Sequence, residues 1–396
     1  MVTTWDNTLG TQKGHSYADF SERDVDVRMH LLQSDIAPIT TVLMNLTRGK
    51  KANQVKVEWP ERQLLPHTTK SNGGNTSADL VVLVDNPEYC KVGDHLLDQL
   101  TGELMGPIIS KNTGAGTVTL ASGGRGLIGT VATTIADNDP LIIQRGNILE
   151  GGYASDALAT LPTMVYNYIE ATSTTYKNTD LLELSMTYAN VHTWKDLRAL
   201  KMKDHMEDLE KKVLYGIRGL DTSGSQAKYF MGGLINQYII DTVETVNVGA
   251  GGTKTFTKKQ WETFIRRLFN YNQSSRRKTV YCSAEVIETI SDFKYQALNL
   301  TPNDVMFNTA VFSYRSNFGI VDIVHHRFLN EDFGTDWYAL GLDLKNIEWL
   351  NFQPQQIREN IQERRSHSRE DEIYQVNSMK VFNGPVHGIF RVTATA

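Results

Sequence analysis

The chain is poor in cysteine: Cys90 and Cys282 are its only two thiols in 396 residues, and neither belongs to a C-x-x-C or Cys/His framework. That excludes a structural zinc site built on cysteine, fits a reducing compartment, and leaves both thiols as expected buried small hydrophobes. Long apolar runs are missing too. No uncharged stretch approaches the roughly eighteen residues of a membrane span, and the N-terminal MVTTWDNTLGTQKGHSYADF has no apolar core behind a basic start. A soluble chain made in the cytoplasm is expected, so the sequons at Asn45, Asn75, Asn272 and Asn299 carry no glycosylation argument. No G-x-S-x-G, H-E-x-x-H, Walker A or H-x-E with P-C-x-x-C motif occurs, and the expected catalytic, cofactor and metal residues are none. Positive charge is not in excess either. With 40 Lys and Arg against 45 Asp and Glu, the net charge is -5, which disfavours tight non-specific DNA binding.

What is present is an apolar share of 40%, enough for a sizeable core and for two or three domains. Residues 1 to about 35 are polar without sustained periodicity and read as an arm that orders against a partner, or as a plain disordered tail. The apolar run APITTVLMNL follows at 37–46. In VKVEWPERQLLP, Val55, Val57 and Trp59 alternate with Lys56 and Glu58, the mark of a half-exposed strand, and Pro60 and Pro66 confine it to an edge or an extended excursion. From 79 to 150, LVVLVD, HLLDQL, GELMGPII, GTVTLA, IGTVATTI and PLIIQR are short β-branched runs at roughly ten-residue spacing, a small all-β module. GRGLIG at 124–129 matches G-x-G-x-x-G, but a phosphate loop opens a helix, whereas TVATTI reads as another strand. The glycines are assigned to turns that need positive φ.

The clearest helix spans 193–219. Thr193 and Asp196 resemble a capping box, Met202, Met206, Leu209, Val213 and Ile217 form one stripe, and Gly219 can end it. Its other faces are charged, so His205 with Glu207 and Asp208 is read as a chance grouping on an exposed surface and not as a metal site. After the glycine-rich 245–254 come a helix with a Thr257/Gln260 capping box and an apolar face of Trp261, Phe264, Ile265, Leu268 and Phe269, the buried strand TVYCS, and a helix capped by Ser283. VFSYRSNFGIVDIVHHRF and DWYALGLD read as strands, with His325 and His326 on opposite faces and unable to chelate one metal together. NIEWLNFQ and then two strand-like runs joined by NGP close the chain.

Between NIEWLNFQ and those two runs lies IQERRSHSREDE, residues 361–372, in which acids and arginines nearly balance. Such a segment suits salt-bridge networks between subunits better than phosphate binding, with a solvated loop as the bland alternative.

The order of parts resembles the major capsid proteins of tailed phages with the HK97-like fold, in particular the SU10-type family. The likeness rests on SDIAPITTVLMNL followed by VKVEWPERQLLP, the insert ending TVATTIADNDPLIIQRGNILEGG, the helix ending DLEKKVLYG, SNFGIVDIVHHRFL, and EIYQVNSMKVFNGPVHGIFRVT. It implies an α+β fold with an N-terminal arm at 1–48, an extended E-loop at 49–78 and a β-rich insertion at 79–152. It further implies a peripheral domain with the spine helix at 153–227, an axial domain at 228–342 and a C-terminal return at 343–396. The function implied is a shell of pentamers and hexamers enclosing double-stranded DNA without specific binding, with a portal protein at one vertex and possible scaffolding and decoration proteins. A separate scaffold, or none, is expected over a fused one, and the chain is expected in the virion. Residues expected at subunit contacts are Lys56, Glu58, Trp59, Glu61, Arg62, Glu363, Arg364, Arg365, Arg369 and Glu370. An encapsulin-like compartment is the alternative reading, and a soluble enzyme is a more distant one.

Overall fold

The computed structural model describes residues 37–46, 50–147, 150, 157–185, 194–238, 243–248, 254–271, 275–293, 300–306, 309–330 and 336–393. Residues 1–36 of the arm expected over 1–48, and the Thr193 cap, lie outside them. The apolar run after the arm forms helix α1 (Pro38–Leu46), with proline at the first helical position, where its missing N–H costs nothing. Strand β1 (Lys56–Glu61) buries Val57 and Trp59 and exposes Lys56 and Glu58, as its alternation predicts. Two compact units divide the chain: Trp59–Val165, and the described residues on either side of it. The chain passes between them along β1 and β9 (Thr163–Tyr168), which pair as a two-stranded ribbon.

The Trp59–Val165 unit is all β. Strands β2 (Thr68–Lys70), β3 (Val81–Leu83), β4 (His95–Asp98), β5 (Leu104–Met105), β6 (Ile108–Asn112), β7 (Thr117–Leu120) and β8 (Pro140–Gln144) form two antiparallel sheets, β2-β8-β4-β5 and β3-β7-β6. Val82, Val84, Cys90, Leu96, Met105, Ile108, Val118, Leu120, Ile135, Leu141 and Ile143 make one core. Two expectations change here. Residues 68–75, read as part of an extended excursion, join this unit: β2 pairs with β8, Ser71 N–H donates to Asp139 O (3.0 Å), and Asn75 N–H donates to Ile135 O (3.0 Å). TVATTI is not a strand; only its Ile135 bridges, to Asn75. The loop is held instead by a buried ion pair. Glu103 accepts from Arg125 Nε (2.7 Å) and Nη2 (3.0 Å), Gly126 N (3.1 Å) and Thr133 N (2.9 Å). Gly126 and Gly129 take φ of 61° and 78°, so the glycine motif serves a turn, as expected.

The other unit continues with β10 (Glu170–Thr179), α2 (Asp180–Leu184), α3 (Trp194–Tyr215), β11 (Gly219–Asp221), β12 (Lys228–Phe230) and β13 (Val243–Asn247). Then come α4 (Lys258–Leu268), β14 (Arg277–Cys282), α5 (Ala284–Asp292), β15 (Leu300–Met306), β16 (Thr309–Arg315), β17 (Ile320–His325), β18 (Trp337–Leu342), β19 (Ile347–Arg358), β20 (Ser368–Val381) and β21 (Gly388–Thr393). A mixed seven-stranded sheet, β13-β21-β18-β14-β17-β16-β15, carries α4 and α5 over a core that includes Trp261, Phe264, Val280, Val286, Ile323 and Phe390. The α4 capping box forms as read: Thr257 N–H donates to Gln260 Oε1 (2.7 Å), and Thr257 Oγ1 accepts from Gln260 N. A second sheet, β10-β20-β19, packs against α3. The C-terminal residues therefore divide between the two sheets, β19 and β20 in one and β21 in the other.

Helix α3 is shorter than its sequence pattern and turns a different face inward. At 22 residues and about 1.5 Å per residue it stops at Tyr215, not Gly219. The stop is backbone contact: Gly233 N–H donates to Gly216 O (2.8 Å), and a Cβ on either glycine would come within 2.5 Å of neighbouring backbone. Ile217 consequently falls beyond the helix and is 68% exposed. Leu209 and Val213 are buried as expected, but so are His205, Glu210 and Leu214. His205 is thus not on an exposed face; its Nδ1 lies 2.8 Å from Thr174 Oγ1, and burial lowers its pKa. Among the described residues, no three His, Cys, Asp or Glu side chains are arranged to hold a metal, and no helix is long and apolar enough to cross a membrane.

Candidate assembly surfaces

The first candidate surface follows from β1, whose only strand partner among the described residues is β9. Lys56 and Glu58, two apart on the outward face, form an ion pair with each other. The Lys56 ammonium stands 4.4 Å from the Tyr166 ring centroid, and its hydrogen bond to Glu58, partly opposed by desolvation, raises its pKa. Trp59, expected at a subunit contact, is 3% exposed. Its ring is covered within the chain, and its Nε1 donates to Glu61 Oε1 (2.9 Å), so no broad face is left for a second molecule. Arg62 Nε donates to Thr160 Oγ1 (3.3 Å), whose hydroxyl donates in turn to Gln63 O (2.6 Å). The exposed positions here are Lys56, Glu58 and Arg62, already engaged locally through weak, solvent-screened contacts.

The second surface is the hairpin that joins β19 to β20. The charged segment is not one thing. Its second half is strand, and its charges are committed within the chain: β10 and β20 place Lys177 opposite Glu370, which pair at 3.3 Å, while Glu372 pairs with Arg358 at 3.3 Å. Asp371 is fully buried. It accepts from Asn360 N (2.9 Å), Trp194 Nε1 (3.0 Å) and the Tyr176 hydroxyl (3.4 Å), and so ties the base of the hairpin to β10 and to the first turn of α3. Arg369 lays its guanidinium 4.5 Å from the Trp194 ring centroid and reaches within 4.0 Å of Asp371. Arg369 and Glu370 thus act first as braces of the fold.

The first half of the segment is the turn itself. Ser366 N–H donates to Glu363 O (3.0 Å), and Asn360 and Arg365 hold φ of 57° and 78°, a left-handed conformation that non-glycine residues seldom adopt. Glu363, Arg364 and Arg365 are exposed, and among the described residues none of them forms an ion pair. A braced turn presents three charges that have no ion partner among the described residues. Sequence grouped ten residues; geometry separates these three from Trp59 and Glu61, which bond each other within β1, and from Arg369 and Glu370, whose partners lie on α3 and β10.

Comparison with known proteins bears on the whole chain. No curated protein matches. Among solved structures, the fold is similar to a chain of Gordonia phage Cozz, with a TM-score of 0.48, 9% identity, and 98% of each chain covered. It is also similar to one of Mycobacterium phage Bobi, with a TM-score of 0.47, 7% identity, and 98% and 100% covered. A Synechococcus elongatus encapsulin is similar over 60% of this chain and 79% of its own, with 12% identity and a TM-score of 0.43. The family model described as SU10 major capsid protein matches residues 7–394, nearly the full length, and on that match the chain belongs to the SU10 major capsid protein family.

Proposed function

We infer that this major capsid protein assembles with copies of itself into a closed icosahedral shell of pentamers and hexamers that encloses the double-stranded DNA of a tailed phage. The observation that carries this is the family match from residue 7 to residue 394, which leaves no large segment unaccounted for. The net charge of -5 supports containment of DNA without tight binding. In this reading 1–48 is the arm, 49–78 the E-loop, whose 68–75 pairs into the insertion at 79–152, 153–227 with 343–396 the peripheral domain, and 228–342 the axial domain, whose sheet β21 of the C-terminal return joins. Production in the host cytoplasm, a portal protein at one vertex, and scaffolding or decoration proteins belong to the same reading. Subunit contacts are assigned to the exposed side chains of Lys56, Glu58 and Arg62 and to the turn at Glu363, Arg364 and Arg365. Apolar area supplies strength at such contacts, and charges supply register and specificity.

Sedimentation velocity on the chain expressed alone, followed by negative-stain imaging of the fast fraction, tests the reading. Particles of megadalton mass with five- and six-fold rings are expected. A discrete monomer or dimer at every salt and protein concentration sinks unaided self-assembly.

A further inference from the structure

Helix α1 lacks a cap of its own. Thr41 N–H donates to Ala37 O (3.1 Å), the first bond of the helix, so the capping position is an alanine, whose side chain can accept nothing. The free donors of the first turn go to a carboxylate 170 residues away, Glu210 on α3, which is fully buried. Its Oε1 accepts from Ile39 N (3.0 Å), and its Oε2 accepts from Thr40 N (2.8 Å) and the Thr40 hydroxyl (2.5 Å). The fourth donor is His326 Nε2, 2.7 Å from Oε1, on a ring whose Nδ1 meets no partner among the described residues and which stands nearly perpendicular to the Tyr281 ring at 6.0 Å. A negative charge at the positive end of a helix dipole, with four donors around it, is the arrangement that makes a buried carboxylate tolerable.

We propose that Glu210 is a latch: it docks α1 onto the spine helix as a piece that can release while the rest of the unit stays folded. Three features support this. Nine residues are too few to hold a helix in water without docking, so α1 exists only while it is held. Three of the four bonds to Glu210 come from α1, so loss of the carboxylate's acceptor capacity removes the helix's cap and its polar anchor together and leaves only the buried Ile39, Val42 and Leu43 to hold it. The chain just after α1 is pinned separately, because Ala52 N–H donates to Asn351 O (3.1 Å) and Asn351 N–H to Lys50 O (3.1 Å) on β19. Release therefore stops at Lys50. The inference goes beyond the shell reading and does not rest on it.

Hydrogen exchange on the full-length chain tests the latch, with the segment 39–46 compared against 277–282 in β14. Glu210→Gln places an amide NH2 against backbone donors, and exchange in 39–46 should rise on the order of a hundredfold while 277–282 is unchanged. Thr40→Val removes only the hydroxyl bond to the carboxylate and should raise exchange in 39–46 by roughly tenfold. Should Glu210→Gln fail to fold, Thr40→Val carries the test, since it leaves Glu210 and His326 intact. Unchanged exchange in 39–46, or equal acceleration of both segments, overturns the proposal.

Discussion

The two units spend their buried charge differently. In Trp59–Val165 the most deeply buried ion pair is local: Glu103 and Arg125 are 22 positions apart, and they brace one loop. In the other unit two fully buried carboxylates reach much farther. Glu210 reaches His326 across 116 positions, and Asp371 reaches Trp194 across 177. The turns differ as well: every glycine with positive φ among the described residues, from Gly73 to Gly146, lies in the all-β unit. A module of short strands is specified by its turns and a few local braces, so it can sit as a contiguous insert. A unit whose sheets interleave distant segments must be specified by contacts that sequence separation hides.

The largest effect that separates the two is expected from Glu103→Ala. Burial raises the Glu103 pKa, but Arg125, Thr133 and Gly126 outweigh it and hold the carboxyl below its ordinary value, so the pair is ionic. Removing one partner leaves a buried guanidinium uncompensated, a loss of about 3–5 kcal/mol. Urea unfolding should show that loss in a transition assigned by exchange to 95–143, with 277–282 unaffected. A single transition shifted for both segments would mean that the units unfold together, and the contrast would fail.

Acid should discriminate the units with a somewhat smaller effect. His387 is completely buried; desolvation foremost, with the Lys278 charge adding to it, pushes its pKa down to about 4. Its folded pKa lies below the unfolded value of 6.5, so the unfolded chain binds more protons between those pH values. Stability is full above pH 6.5 and is lost as pH falls through 4, by up to about 3 kcal/mol. Lys278, pushed down to about 8 chiefly by burial, gives a second rise in stability from pH 8 toward 10.5. In the all-β unit Glu103 begins to cost stability only below its ordinary value of 4.5. Chemical denaturation from pH 7 to 4.5 should therefore weaken the larger unit first, and His387→Gln should flatten that slope. An unchanged slope in the variant would assign acid sensitivity elsewhere.

The same contrast explains what was legible in the sequence. Local signals carried far: the capping box at Thr257 and Gln260, the cap at Ser283, the alternation in β1 and most β-branched runs of the insert depend on neighbours within a few positions. The order of segments carried the family. What misled was what depends on distant partners. Gly216, not Gly219, stops α3 because Gly233 meets it. Glu210 and His205 look like surface charges until α1 and β10 cover them, and TVATTI has strand composition but lends its backbone to Glu103 and Asn75. Arg369 and Glu370 looked like Arg364 and Arg365 in the sequence, and only the register with β10 divides them.

That division supports the prediction with the smallest effect on the subunit. Arg364→Glu with Arg365→Glu reverses two exposed charges that have no ion partner among the described residues, so subunit stability should move by no more than about 0.5 kcal/mol. Arg369→Glu, by contrast, removes a cation from above Trp194 and sets a carboxylate beside buried Asp371, and it should lower subunit stability measurably. If the turn meets another subunit, the double reversal leaves the melting curve in place yet slows or blocks shell formation, and the defect shrinks as salt screens the charges. Light scattering during assembly at low and high salt reads this directly. Shells that form at the wild-type rate at both salt concentrations would return the turn to solvent and leave β1 as the assigned contact.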